Sequence, residues 1–396
     1  MSMDSCISHL VCSQTGEKFA HDELQTFSPA NKPLLAIYDL EKAAARLSKE
    51  TLLTREHTLW RYRELLPVLS QANVISLGEG DTPLVPLSRA AGKLNMKQVW
   101  VKDEGQMPTG SFKARGLAMA VSKAHELGVK QVAVPTAGNA GGALAAYAAR
   151  AGMACFIFMP KDVPRINYME ARLAGANVTL VDGIISDCGK MLAEQKEEHG
   201  WFDVSTLKEP YRLEGKKTMG LELAEQFGWE LPDVIFYPTG GGTGLIGMWK
   251  AFSELRQMGW IGDHLPRMVA VQAEGCEPIT RAFQAGNEES EFFDNAETIA
   301  SGLRVPKAFG DALILKTLQE SGGLAVSVSD AEILQAVREL AELEGMVVCP
   351  EGGATWAALK QLVASGQVGR DERVLLFNTG TGLKYPEMLE NLTRMS

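Results

Sequence analysis

Seven residues, Pro108-Thr109-Gly110-Ser111-Phe112-Lys113-Ala114, place one lysine at the opening of an expected helix, shortly after the strand-like run Gln98-Val99-Trp100-Val101. Ser111 has the side chain of an N-cap for a helix through Ala114, Leu117, Ala118 and Val121, and the positive end of that helix disfavours a second positive charge on Lys113. Partial desolvation lowers the lysine pKa in the same direction. The result is a neutral amine able to attack a carbonyl and form a Schiff base. A lysine in a first helical turn is ordinarily a surface residue, so the assignment depends on what else the chain brings to it.

Three further loops have the composition of ligand-binding turns. Gly240-Gly241-Gly242-Thr243-Gly244 follows the apolar run Val234-Ile235-Phe236-Tyr237 and opens a helix through Ile246, Met248 and Trp249. Backbone N–H groups unobstructed by side chains, at a helix N-terminus, form a phosphate cradle. No lysine followed by Ser or Thr closes the loop, so it is not the P-loop of a nucleotide triphosphatase. Read one register later, Gly242 to Gly247 matches GxGxxG, with Glu274 beyond the next strand, and a dinucleotide site stays open on this reading. Thr136-Ala137-Gly138-Asn139-Ala140-Gly141-Gly142 also follows a strand. The Asn139 amide can bond a phenolate-like oxygen, or it can cap the following helix. Phe377-Asn378-Thr379-Gly380-Thr381-Gly382-Leu383-Lys384 places hydroxyls at another strand end, where a threonine can donate to an uncharged pyridine nitrogen. A neutral ring is a weaker electron sink than a pyridinium and favours elimination and replacement over transamination.

The elements that hold these loops alternate. Short β-rich runs at Gln131–Val134, Ala154–Met159, Val178–Val181, Val234–Tyr237, Met268–Gln272, Ala325–Val328 and Arg373–Phe377 are separated by helical patterns. That order predicts an α/β fold of parallel sheets covered by helices, with ligands at the carboxyl ends of the strands. The first 75 or so residues differ: a polar, irregular start precedes an expected helical stretch from about Leu40 to Leu69. There is no repeat of fixed period and no low-complexity segment.

At 396 residues the chain is long enough for two domains and a substantial core. Apolar residues make up 45% and charged residues 22%, ordinary for a globular enzyme, and the net charge of −10 argues against a nucleic-acid partner. A local basic pocket still allows a small anionic substrate. The start shows no basic segment followed by an apolar stretch, so no secretory signal is expected. The charge-free run Gln131–Ala149 contains a proline, an asparagine and three glycines and reads as strand, loop and helix rather than a membrane span. Cysteines at 6, 12, 155, 188, 276 and 349 form no CxxC pair. A cytoplasmic protein with reduced thiols is expected.

Taken together, Thr109–Lys113, Ala137–Ala140, Gly240–Gly244 and Thr379–Lys384 resemble the four motifs of fold type II pyridoxal-phosphate enzymes of the tryptophan synthase beta-like group, and within these the threonine synthases. Trp60-Arg61-Tyr62, Leu77–Leu84 and Arg212–Thr218 extend the likeness from Tyr38 to Pro386. The resemblance implies two doubly wound parallel-sheet domains with an N-terminal extension: residues 1–75 as the extension, 76–115 with 215–396 as the large cofactor domain, and 116–214 as the small domain. It implies a homodimer. It further implies that Lys113 holds pyridoxal 5'-phosphate through a Schiff base, that Asn139 bonds the pyridine hydroxyl, and that Thr379 meets the ring nitrogen. Gly240, Gly241, Gly242, Thr243 and Gly244 would cradle the cofactor phosphate. The implied reaction converts O-phosphohomoserine and water to threonine and phosphate, with Arg212 gripping the substrate phosphate and Thr206, Ser111 and Lys208 as weaker candidates.

Several positions depart from that pattern. Ala114 stands where many threonine synthases have an aspartate before the Arg-Gly pair, and Ser205-Thr206-Leu207-Lys208-Glu209-Pro210-Tyr211-Arg212 replaces a segment close to Asn-Ser-x-Asn-Pro-x-Arg, with one residue more. Serine/threonine dehydratases and enzymes that replace the β-phosphate of phosphoserine therefore stay open, as do, from other classes, a dinucleotide dehydrogenase and a non-catalytic metabolite binder. The N-terminus resembles a decayed zinc ribbon in which Cys12 is the survivor of one pair. The spacing of Cys6, His9, Cys12 and His21 is not that of a usual zinc knuckle, so a small β element without metal is expected.

Overall fold

The computed structural model describes residues 4–394. The N-terminal segment is not irregular: β1 (Ile7–Cys12), β2 (Lys18–Phe19) and β3 (Leu34–Tyr38) form an antiparallel sheet in the order β2-β1-β3. Alternating burial along β3, with Leu34, Ala36 and Tyr38 inside, gives this sheet one core face. The expected helix over 40–69 is broken. Helices Leu40–Arg46 and Lys49–Leu52 are separated by an extended Leu47, and Leu59–Leu65 is a 3-10 turn. Ser48 accepts from the Thr51 amide and restarts the helix. Buried side chains then set the turn: Arg55 holds Glu64 by two bonds of 2.7 Å, and Trp60 donates to Glu79 at 2.7 Å.

The remaining strands are β4 (Leu84–Pro86), β5 (Gln98–Asp103), β6 (Gln131–Pro135), β7 (Ala154–Pro160), β8 (Asn177–Val181), β9 (Phe202–Asp203), β10 (Val234–Pro238), β11 (Arg267–Ala273), β12 (Leu324–Val328) and β13 (Arg373–Asn378). All seven runs read from the sequence are present, each extended by a residue or two, and all pair in parallel. The chain forms two compact units: one holds the chain up to Asp81, Lys113–Glu222 and Gly247–Trp260, the other Thr82–Phe112, Leu223–Ile246 and the chain from Ile261.

In the first unit the sheet order is β8-β7-β6-β9. Ala133 and Phe158 pack with Val181, Cys188 and Leu192, the last two from the helix Ile185–His199. In the second unit the order is β12-β11-β10-β13-β5-β4, parallel except for the edge strand β4. Strand β10 reads Val-Ile-Phe-Tyr-Pro and is buried throughout, as a central parallel strand covered on both faces must be. Pro86 ends β4 at the sheet edge, where a missing N–H costs nothing. One face packs Val234, Phe236 and Leu376 against Trp356 of the helix Pro350–Ala364.

Candidate active site

The six-stranded and four-stranded sheets each gather chain segments singled out above at the carboxyl ends of their parallel strands. In the second unit β10, β13 and β5 are neighbours, so the glycine loop, the Asn378-Thr379 turn and the segment leading to Lys113 leave the sheet side by side. Main-chain bonds join two of them: the Phe112 N–H donates to the Thr379 carbonyl at 3.0 Å and the Thr381 N–H to the Gly110 carbonyl at 2.9 Å. Lys384, buried, donates from Nζ to the Thr109 carbonyl at 2.8 Å. Thr109 itself is left-handed at φ 62°, next to Gly110 at φ 65°. For a β-branched residue this conformation costs on the order of 1–2 kcal/mol, and surrounding bonds must hold it. The residue so delivered is Lys113, half-buried and first in the helix Lys113–Glu126.

Ser111 does not cap that helix. Its main chain is extended and bridges to Gly380, and its hydroxyl is buried without a hydrogen-bond partner among the described residues. Thr109 Oγ1 is in the same condition. Thr379 is buried, and its hydroxyl lies 3.8 Å from the Cys349 sulfur. Burial, with Glu351 nearby, pushes the Cys349 pKa well up, so the group stays a thiol. Asn378 fixes this turn by donating to Asp103 at 2.7 Å and accepting from the Cys349 amide at 3.2 Å.

The glycine loop is confined by its surroundings. Gly242 has φ 70°, and a β-carbon there would strike Ile314; one at Gly240 would strike the Gly302 carbonyl. Both positions need glycine, the first for conformation as well as space. The loop ends at Thr243, which opens the helix Thr243–Gln257.

The first unit brings two more segments together. Strands β6 and β9 are adjacent, so the Thr136–Gly142 loop and the Ser205–Arg212 segment share one sheet edge. Asn139 begins the helix Asn139–Ala151 but does not cap it. Gly138 holds the cap position, and Asn139 Oδ1 is buried without a partner among the described residues. Ser205 is engaged with Asp203 through side chain and main chain. Leu207 is left-handed at φ 60°, as Thr109 and Asp81 are in their segments. Thr206 and Lys208 are half-buried.

Arg212 is buried and donates from Nη1 to the Val204 carbonyl at 2.6 Å. Burial lowers its pKa, while Glu209 and Asp203 oppose that shift. Glu209 accepts from the N–H groups of Tyr211 at 2.9 Å and Arg212 at 2.5 Å, and so closes the start of the helix Tyr211–Gln226. Burial nevertheless pushes the Glu209 pKa up to about 7.

Sequence reasoning missed Glu222. It takes both guanidinium nitrogens of Arg115, at 2.6 and 2.7 Å, and the Asp81 N–H at 2.9 Å. A β-carbon on Gly215 would strike the Arg115 carbonyl, so the Lys113 helix and the Arg212 helix cross backbone to backbone there. The signal was present, in an Arg-Gly pair two residues after Lys113 and a glycine three after Arg212, but a pairing between distant glycines cannot be read from one chain. Glu79, in the run Leu77–Leu84, accepts from Trp60 at 2.7 Å and from Tyr147 of the Asn139 helix at 2.7 Å. The Trp60 and Glu79 motifs thus brace the helix that Asn139 opens. At the N-terminus, Cys12 donates to Ser28 at 3.2 Å and accepts from the Thr15 N–H. Burial raises its pKa, but the hydroxyl and amide groups of Ser28, Thr15 and Gln14, as donors to the thiolate, outweigh burial and lower it to about 7. Among the described residues no group of three or more His, Cys, Asp or Glu is placed to hold a metal ion.

A half-buried lysine delivered by one parallel-strand loop, with a glycine cradle and a threonine turn on neighbouring strands, defines a class. The chain belongs to the pyridoxal-phosphate dependent enzymes, matching that family over residues 75–380. Its relatives include threonine synthases: it is 36% identical to that of Methanocaldococcus jannaschii over 377 residues, covering 95% of this chain and 93% of the other, and 37% identical to that of Methanosarcina acetivorans over 381 residues, covering 96% and 93%. Among solved structures, the processed threonine deaminase isoform 2 of Solanum lycopersicum superposes with a TM-score of 0.68 at 20% identity, covering 82% of this chain and 89% of that one. Maize serine racemase superposes with 0.67 at 22%, covering 79% and 93%. At these identities the structures share the fold.

The residues present fit the cofactor. In the second unit, orphaned buried oxygens on Thr109 and Ser111 call for a polar ligand, since each otherwise carries the cost of an unmade hydrogen bond; in the first unit Asn139 Oδ1 is in the same condition. The glycine loop offers an anion the amide donors of a helix start.

Proposed function

We propose that the chain is a threonine synthase that converts O-phosphohomoserine and water to threonine and phosphate. The observation that carries this reading is the extended identity with threonine synthases, 36–37% over 95% or more of the chain. The cofactor, when bound, supplies an electron sink for negative charge developing on the amino-acid carbons. Lys113 would hold it covalently, Asn139 would bond its ring hydroxyl, Gly240, Gly241, Gly242, Thr243 and Gly244 would take its phosphate, and the Thr379 hydroxyl would donate to its ring nitrogen. Freed as a neutral amine, Lys113 would take protons from Cα and Cβ of the substrate as phosphate leaves from Cγ, and return protons to Cγ and Cα as water adds its hydroxyl at Cβ.

The leaving phosphate needs cationic residues of its own. Arg212 fits that need: it is a buried guanidinium at a helix start, fixed by the Val204 carbonyl, with Thr206, Lys208 and Ser111 as auxiliary contacts. Among the described residues no helix is long and apolar enough to cross a membrane. The same reading takes the enzyme as a cytoplasmic homodimer acting on a small anionic amino acid.

The test follows phosphate and 2-oxoacid together with phosphohomoserine, phosphoserine and threonine as substrates. Phosphate and threonine should form from phosphohomoserine, and Arg212→Ala should lower kcat/KM by roughly 30-fold or more, the cost of truncating one partner of a desolvated charge pair. Oxoacid from unphosphorylated threonine, with no phosphate release from phosphohomoserine, would overturn the reading.

A further inference from the structure

The strand that feeds the glycine loop ends in a phenol. Tyr237 is the fourth residue of β10 and is 1% exposed, whereas Val234, Ile235 and Phe236 before it are hydrocarbon. Its position is set by Gly244: a β-carbon there would collide with the phenolic oxygen and Cζ, so the hydroxyl fills the space that a side chain at 244 would occupy. Gly244 is the second residue of the helix Thr243–Gln257. The oxygen therefore lies at the first turn of that helix, where amide N–H groups lack helical acceptors.

Two aromatic rings flank the phenol. Phe112 meets it edge-on with centroids 6.1 Å apart and an interplanar angle of 79°, and Phe377 does so at 5.2 Å and 63°. One of these residues precedes Lys113, and the other stands two before Thr379. A single aromatic side chain thus ties together the lysine segment, the ring-nitrogen turn and the glycine loop.

Charge supplies the reason for a hydroxyl here. From Val234 to Trp249 there is no lysine, arginine or histidine, and four of the five residues from Gly240 to Gly244 have no side chain. A phosphate dianion at this loop would meet backbone amides, one threonine and the helix dipole. A further fixed donor is what such a cradle lacks.

We propose that Tyr237 is a ligand of the cofactor phosphate, its O–H donating to a phosphate oxygen beside the amides of the glycine loop. The proposal rests on the cofactor assignment and adds a residue to it.

The test is a titration of apoprotein, parent and Tyr237→Phe, with pyridoxal 5'-phosphate and separately with pyridoxal, read by the absorbance of bound cofactor rather than by turnover. Phenylalanine keeps both edge-on contacts and removes the donor. Loss of one hydrogen bond to a charged group should weaken pyridoxal 5'-phosphate about tenfold or more and leave pyridoxal unchanged. Equal thermal midpoints for the two apoproteins establish that the variant is folded. If they differ, the titration is repeated at a temperature below both midpoints, where the same selective loss must appear. Unchanged affinity for the phosphorylated form, or an equal loss for both forms, overturns the proposal. A parent apoprotein that takes up neither form refutes the cofactor assignment itself, and the proposal with it.

Discussion

Replacing Glu209 by glutamine isolates one buried charge beside Arg212. In the fold the Glu209 carboxylate is fully buried, and burial outweighs two amide hydrogen bonds and the Arg212 charge, raising its pKa from 4.5 to about 7; Asp203 adds to the rise. The folded chain therefore binds this proton more tightly than the unfolded chain. Stability from the group is fully present below about pH 4.5 and lost as pH rises to about 7, a fall of about 3 kcal/mol at 1.36 kcal/mol per decade. Glutamine resembles the protonated acid in shape and does not ionise. Glutamine has one acceptor oxygen where Glu209 uses two, which lowers the variant by a constant amount at every pH; on top of that offset, the stability of Glu209→Gln relative to the parent should rise by up to about 3 kcal/mol between about pH 4.5 and pH 7. Urea denaturation of both chains across that range checks this, because every other titrating group cancels in the difference. The variant also lacks the anion opposite Arg212, so inorganic phosphate should inhibit it more strongly than the parent above pH 7. A stability difference that stays constant with pH would refute the reasoning, since it would mean that the two amide bonds hold Glu209 at an ordinary carboxylate pKa.

Other perturbations probe the frame around the lysine. Gly215→Ala drives a β-carbon into the Arg115 carbonyl, so the helices carrying Lys113 and Arg212 must part; a loss of about 1–3 kcal/mol, as for an overpacked core, should appear as a lowered thermal midpoint. Glu222→Ala strands Arg115 in the interior and should destabilise by about 3–5 kcal/mol in denaturant, more than Glu222→Gln. Thr379→Asp should protonate the ring nitrogen, slow the native reaction and let transamination products accumulate, as product analysis by mass spectrometry would show. Borohydride reduction of the yellow holoprotein should fix the cofactor to the peptide holding Ser111-Phe112-Lys113.

The division between what was legible in the chain and what was not tracks the range of the interactions. Strand positions were readable because each is a local run of β-branched and aromatic residues, and those runs became β6, β7, β8, β10, β11, β12 and β13. The loops after β5, β6, β10 and β13 were readable because glycine, asparagine and threonine at a strand end have few other uses. Helices over 40–69 were misread. Their pattern is helical, but Ser48 restarts the helix, and Arg55, Glu64, Trp60 and Glu79, paired across the fold, bend the chain beyond Leu52.

Residue types and spacing alone marked the lysine segment, the glycine loop and the strand positions, all of which are properties of short segments. Tertiary structure decided how each is used. Ser111 and Asn139 look like helix caps, yet both present unanswered oxygens, because the main chain at Phe112 and Ser111 is tied to Thr379 and Gly380 and the cap before Asn139 is Gly138. The Arg115–Glu222 pair, the crossing at Gly215 and the placing of the Tyr237 hydroxyl at Gly244 join residues that sequence spacing does not pair. Such contacts depend on the close packing of particular shapes, which no local preference encodes.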